Sequence, residues 1–218
     1  LFQKFVQHHI TKTAKKFLQD TCMKNSENTI ALNIIKPCEK KLKNQWMLKM
    51  KDYSEKLIKG LEENPDGRRH IISLWQEDVF KEKHGLKPCA FMTQWNIRHG
   101  KDGVKYLDMC LTQRSSDFLT AGCINQTQYM ILLYMVANHL GYTPGRFTWF
   151  YNNIQIYDRH IDQAKELIQR EPVECNPYFE IDEDCTWENM MPDNVHVRDY
   201  PREEIKKKNK QLTFELGI

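Results

Sequence analysis

Apolar residues at Phe2, Phe5, Val6, Ile10, Ala14, Phe17 and Leu18 recur at spacings of three and four, which predicts an amphipathic helix over residues 1–20. Residues 29–35 allow a short strand, stopped by Pro37. The helical spacing returns over residues 53–61 at Tyr53, Leu57, Ile58 and Leu61, and Asn64-Pro65-Asp66-Gly67 ends that helix with turn chemistry. Beyond the turn the pattern becomes extended: residues 70–75, 90–97 and 106–112 are rich in β-branched and aromatic side chains, and His99-Gly100-Lys101-Asp102-Gly103 forms a loop between the last two. Residues 125–140 are apolar on nearly every side, so they predict a helix through the core, ended by Gly141 and Pro144. A strand is predicted over residues 146–157 and a last amphipathic helix over 161–168; from Pro172 onward there is little periodicity. Strands and helices mix without regular βα alternation or internal repeat, which indicates an α+β fold.

Composition narrows the picture. A chain of 218 residues fits one domain, residues 1–218, with a sizeable core. No apolar run approaches the length of a membrane span, and the first ten residues lack the continuous apolar stretch of a signal peptide, so a soluble, non-membrane protein is expected. The seven cysteines have neither CxxC nor Cys/His metal spacing, which favours free thiols in a reducing compartment, no metal and a cytoplasmic location. Net charge is only +3. The lysines at 206, 207, 208 and 210 lack interleaved aromatics and read as a solvated face, so nucleic-acid binding is not expected.

Lys87-Pro88-Cys89 at the head of an extended segment says little alone, because a free cysteine is most often inert. It gains meaning from the order of segments downstream: Leu111-Thr112-Gln113-Arg114-Ser115-Ser116-Asp117, then Asn125, then Ile156-Tyr157 and His160-Ile161-Asp162-Gln163. Together with Asn64-Pro65-Asp66-Gly67-Arg68-Arg69 and Leu74-Trp75 upstream, these segments resemble the thymidylate synthase and pyrimidine nucleotide hydroxymethylase family, most clearly over residues 53–172. The resemblance implies a mixed β-sheet packed against helices and a sheet-mediated homodimer with shared active sites. It also implies a one-carbon transferase that uses 5,10-methylenetetrahydrofolate as co-substrate, with dUMP as the preferred deoxypyrimidine monophosphate.

The same resemblance implies residue roles. Cys89 is the candidate thiolate that adds to C6 of the pyrimidine, and thiols ionise readily only near positive charge, which arginines gathered for phosphate supply. Arg114 matches an arginine that binds phosphate beside the nucleophile, its plainer role being a surface ion pair; Ser115 and Gln113 accompany it at the substrate. Arg68 and Arg69 match arginines that reach the partner subunit's phosphate, for which a bidentate guanidinium is well shaped. Asn125 presents a donor and an acceptor to N3–H and O4 of uracil, its plainer role being a helix N-cap. Tyr157 matches a ribose-holding hydroxyl, while Trp75, Asp117 and the C-terminal Ile218 match positions at the folate.

The sequence also departs from the family pattern. Ala90 follows the cysteine where His is usual, Gln155 precedes the ribose tyrosine where His is usual, and Gln76 stands in place of Asn. Neither Glu27 nor Glu39 aligns with the family's water-organising glutamate, and an early phosphate-loop arginine is missing. These changes fall where water is managed, and water decides the product: hydride from tetrahydrofolate onto the methylene carried by C5 gives a methyl group, water a hydroxymethyl group. On that ground the expectation leans to a hydroxymethylase of the kind used in viral DNA modification, acting in the host cytoplasm. A thymidylate synthase making dTMP is the alternative, and a catalytically silent nucleotide-binding or interaction homologue is the rival from another class.

Overall fold

The computed structural model describes residues 50–75, 77, 87–187 and 189–215. The helix and strand expected over 1–20 and 29–35, Glu27, Glu39, Gln76 and the terminal Ile218 lie outside the described residues. The chain runs α1 (Met50–Glu63), β1 (Ile71–Ser73), β2 (Ala90–His99), β3 (Lys105–Gln113), β4 (Ser116–Asp117), α2 (Cys123–Leu140), β5 (Thr143–Tyr151), β6 (Ile154–Gln155), α3 (Ile161–Gln169), β7 (Tyr178–Ile181), β8 (Val195–Arg198) and α4 (Arg202–Lys208). The main sheet has the order β1-β2-β3-β5, antiparallel except for the parallel β3–β5 pair. That mixed sheet with helices is the expected α+β architecture.

Alternation decides which face of the sheet is buried. Thr93, Trp95 and Ile97 of β2 and Leu107, Met109, Leu111 and Gln113 of β3 point to one face, and α2 covers it. Helix α2 is apolar nearly all round because it is covered on both sides: it packs against β3 and β5 on one side, and against α1 and β7 on the other. Leu133 and Ala137, both fully buried, lie at its centre. Leu133→Ala should therefore cost about 2–5 kcal/mol, read as a shift of the urea unfolding midpoint; a shift no larger than that of an exposed substitution contradicts this packing. Among the described residues, no helix is long and apolar enough to cross a membrane.

The ends of α2 reflect its sequence. Gly141 takes the left-handed conformation at φ 69°, which lets the Tyr142 N–H bond the carbonyl of Ala137 at 2.9 Å. Pro144 does not simply stop the helix; it enters β5 opposite Leu107, beside a register irregularity where a missing N–H is tolerated. At Gly145 a Cβ would come within 2.0 Å of Asp108 Oδ1, the oxygen that accepts the Arg146 N–H at 2.7 Å.

Two stretches differ from the sequence expectation. The strand predicted over 146–157 is broken at Asn152-Asn153: the Asn152 N–H donates to the Gln113 carbonyl at 3.0 Å, and the Ser116 N–H donates to the Asn153 carbonyl at 2.9 Å. The chain then pairs again as β6, parallel to β4. Past residue 172, β7 and β8 form an antiparallel hairpin that the hydrophobic pattern does not reveal. Its strands are four residues long and only half-buried, and polar contacts close its loop: Asp182 accepts from Asn194 at 2.9 Å and pairs with His196 at 2.7 Å. Those two partners hold the Asp182 carboxyl below its ordinary value.

Candidate active site

Cys89 is exposed at the head of β2, and three contacts tie its arm to the end of β3. The Arg114 N–H donates to the Cys89 carbonyl at 2.8 Å. The Arg114 guanidinium reaches back with Nε to the Pro88 carbonyl at 3.1 Å and Nη2 to the Lys87 carbonyl at 3.0 Å. These bonds fix a cation beside the peptide that carries the thiol. They use two of the five guanidinium N–H groups, so three remain for an anion. Arg114 is thus not the surface ion pair of its plainer reading; its guanidinium bonds to backbone oxygens.

Around that contact the other candidates fall into place. Trp75 sits edge-on to Phe91 with centroids 5.8 Å apart, and the Lys87 ammonium lies 5.9 Å from the Trp75 ring. Ser115 Oγ donates to Gln155 Oε1 at 3.4 Å, so the glutamine at 155 is bonded into the same loop. Asp117 pairs with Gln155 across β4–β6 and accepts from the Thr120 hydroxyl through Oδ2. Tyr157 comes just after β6, with the Arg159 guanidinium 4.8 Å from its ring and His160 edge-on at 5.9 Å. Gln113 is 1 % exposed, and both ends of its amide are committed to protein partners, Ser115 and Trp149. It therefore stands behind the site rather than on its open side.

Asn125 is half-buried in the first turn of α2, whose N-cap is Gly122, so it is not the N-cap of its plainer reading. The residues before that turn, Phe118–Gly122, form a π-helical segment, a form found often at functional sites. Phe118 lies edge-on to Tyr151 with centroids 6.3 Å apart, and Tyr151 is the register partner of Gln113, so the start of α2 abuts the same corner of the sheet. Burial, with a smaller contribution from nearby Cys123, raises the Tyr151 hydroxyl above its ordinary value.

Arg68 and Arg69 are not brought into this group. They are exposed and line a groove of about 620 Å³ together with Lys56, Asn64 and Asp66. The β1–β2 register places Ile71 opposite Gln94, which sets Arg69 roughly 20 Å along the strand from Cys89 at the usual rise per residue. The turn that carries them is braced by His70 Nε2, which donates to the Asn64 carbonyl at 2.9 Å, and by the Asp66–His99 pair at 2.6 Å.

The sequence pattern assigns no role to Trp149, Thr120 or His160. His160 is 1 % exposed and donates through Nε2 to the Glu215 carbonyl at 2.9 Å, with Phe214 edge-on at 5.4 Å, so it fastens the chain's last described turn beside Tyr157. Its place in the His160-Ile161-Asp162-Gln163 motif is the signal that points to it. Five buried side-chain polar atoms lack a hydrogen-bond partner among the described residues, and four belong to Ser116, Asp117, His160 and Gln163. Among them, the buried Oδ1 of the folate candidate Asp117 suits a ligand N–H donor.

The comparisons with known proteins identify the family and the fold. A family model described as thymidylate synthase matches residues 24–210. The thymidylate synthase of Streptococcus agalactiae serotype Ia is 42% identical over 174 residues, covering 79% of this chain and 60% of the relative. That of Streptococcus pneumoniae strain ATCC 700669 is 42% identical over 177 residues with the same coverage. The chain therefore spans about 60% of the length of the curated relatives it matches. Among solved structures, thermostable thymidylate synthase A from Bacillus subtilis aligns with a TM-score of 0.65 at 30% identity, covering 75% of this chain and 55% of that one. The T4 phage thymidylate synthase aligns with a TM-score of 0.57 at 27% identity, covering 68% and 54%. With a family model over residues 24–210 and relatives 42% identical across 79% of its length, this chain belongs to the thymidylate synthase family.

Proposed function

We propose that this protein transfers a one-carbon unit from 5,10-methylenetetrahydrofolate to C5 of dUMP, with Cys89 as nucleophile. The observation that carries the reading is the clasp between Arg114 and the Lys87–Cys89 arm. It sets a cation with spare N–H donors on the backbone arm that carries an exposed thiol, and positive charge is what a thiolate and a nucleotide phosphate both require. Addition of the Cys89 sulfur to C6 of the uracil pushes electron density to C5 and O4, so C5 becomes a nucleophile. The folate supplies the electrophilic carbon that C5 attacks. Arg114 and Ser115 hold the phosphate end, Tyr157 the ribose, and Asn125 the N3–H and O4 edge of the base. Asp117 accepts from the folate ring, and Trp75 offers a ring face next to the nucleophile arm.

For the product, loss of the C5 proton and of the folate nitrogen leaves a methylene on C5. Its reduction by hydride from the tetrahydrofolate, with release of the Cys89 sulfur, gives dTMP, and this is the reading we adopt over addition of water to give the hydroxymethyl group. The relatives at 42% identity carry the name thymidylate synthase. The Gln155 departure that suggests altered water handling is also taken up by a hydrogen bond to Ser115. Incubation with dUMP and methylenetetrahydrofolate, with mass analysis of the nucleotide afterwards, tests this directly. The expected gain is one methylene unit; a gain of one methylene plus one oxygen establishes the hydroxymethyl product, and no product with intact binding favours a silent homologue.

The dimer is part of the proposal. The sheet face that no described element covers carries Gln94, Asn96, Arg146, Thr148 and Phe150, the last 58% exposed, and it suits a second copy of the chain. Base choice gives a further prediction. Asn125→Asp should move preference from dUMP towards dCMP, because a carboxyl group accepts from the cytosine amine. One mismatched buried hydrogen bond should change the kcat/KM ratio by about 1–3 kcal/mol, and an unchanged ratio removes Asn125 from the base site.

A further inference from the structure

Gln113 ends β3 with its side chain sealed from solvent, and a glutamine amide has two orientations related by a flip. Only one is compatible with its neighbour. The Trp149 indole N–H can donate but not accept, and it lies 3.1 Å from Gln113 Oε1. The amide nitrogen is thereby turned the other way, where Nε2 donates to the Ser115 carbonyl at 2.8 Å. A flipped amide sets two oxygens against each other at Ser115 and two donors against each other at Trp149. Trp149 is itself held firmly: it is the register partner of Leu111, and its ring lies 4.2 Å from Tyr151 and 6.2 Å from Phe147.

The peptide so oriented lies at the junction of the whole site. Within four residues, the Gln113 carbonyl accepts from Asn152, the Arg114 N–H donates to Cys89, and the Ser116 N–H donates to Asn153. The Ser115 carbonyl thus belongs to the turn from which the Arg114 guanidinium and the Ser115 hydroxyl project.

We propose that Trp149 is a positioning residue for the phosphate end of the nucleotide site, acting through Gln113 on the Arg114-Ser115 turn. The proposal rests on the reading of Arg114 and Ser115 as phosphate ligands. Its chemistry lies in the ring N–H rather than in the bulk of the indole, which separates it from a packing role. Replacement by a ring without that N–H should therefore loosen phosphate binding, and replacement by a smaller ring that retains one should restore it.

Equilibrium dialysis with labelled dUMP on the purified full chain, with thermal melts of every variant, provides the test. Trp149→Phe should weaken dUMP binding about tenfold, as expected when a buried acceptor loses its donor. Trp149→His, which keeps a ring N–H but packs less well, should bind within about threefold of the parent even if its melting midpoint falls further. Gln113→Met, which removes both amide contacts at similar length, should reproduce the Trp149→Phe loss and serves equally if that variant does not fold. A parent that binds no dUMP overturns the reading of the site and this inference together. A parent that binds, with Trp149→Phe or Gln113→Met binding equally well, overturns the inference alone, as does an equal loss in Trp149→Phe and Trp149→His.

Discussion

Cys89→Ser is expected to lower turnover by at least about 10³-fold while leaving the dissociation constant for dUMP within about threefold of the parent. The two halves of that result come from different parts of the geometry. Cys89 contributes its sulfur to the exposed side of the site, whereas its carbonyl, not its side chain, accepts the Arg114 N–H. A serine keeps that carbonyl and the bonds from Arg114 to Pro88 and Lys87. The proposed phosphate ligands therefore stay in place, but a hydroxyl is far less available than a thiol as an anionic nucleophile at neutral pH. Stopped assays with dUMP and methylenetetrahydrofolate, paired with equilibrium dialysis, separate the two. Turnover like the parent's removes Cys89 from the chemistry; lost binding shows that the thiol also shapes the nucleotide site.

Complementation between two variants, assayed at a dUMP concentration too low to fill Arg69→Ala, should show the second large effect, from near-zero activity to a substantial fraction. Arg69 lies roughly 20 Å of strand away from Cys89 in its own chain, so it cannot serve that chain's site without a large rearrangement. The proposed sheet-to-sheet dimer would offer it the neighbour's phosphate instead, and losing one charge-assisted contact there should weaken nucleotide binding by about 1.5–3 kcal/mol. When Cys89→Ser and Arg69→Ala subunits exchange at equal concentration, half of the dimers are mixed. One of the two sites in each mixed dimer pairs an intact Cys89 with an intact Arg69, so about a quarter of the parent activity should return under random two-fold assembly. If both variants are dimeric, exchange freely and recover nothing, Arg69 serves its own subunit.

The central fold is legible in the sequence for an identifiable reason. Helix α1 and strands β2 and β3 bury regular faces, so their apolar spacing repeats the geometry of the element, whereas α2, covered on both sides, reads as a nearly continuous apolar run. The break at Asn152-Asn153 is not legible, because it depends on distant hydrogen bonds to Gln113 and Ser116 rather than on local preference. The β7–β8 hairpin is hidden because its strands are short and its loop is closed by Asp182 contacts that leave no periodic trace.

At the site, motif order locates Cys89, Arg114, Ser115, Asp117 and Tyr157 within one connected region. It does not show that Gln113 is consumed by Ser115 and Trp149, since a glutamine's partners are set by the strand opposite it. Nor does it show that Arg68 and Arg69 stand apart, because the distance depends on the β1–β2 register.

The central claim is that Cys89 attacks a pyrimidine nucleotide in concert with a folate, and intact mass measurement after incubation with 5-fluoro-dUMP and methylenetetrahydrofolate tests it most directly. Fluorine at C5 cannot leave as a proton does, so the reaction should halt with sulfur, pyrimidine and folate joined. The account predicts a stable adduct heavier by both ligands, mapping to the peptide that contains Cys89 and absent from Cys89→Ser. An unmodified mass for a folded parent that binds dUMP, or an adduct on any other cysteine, contradicts it.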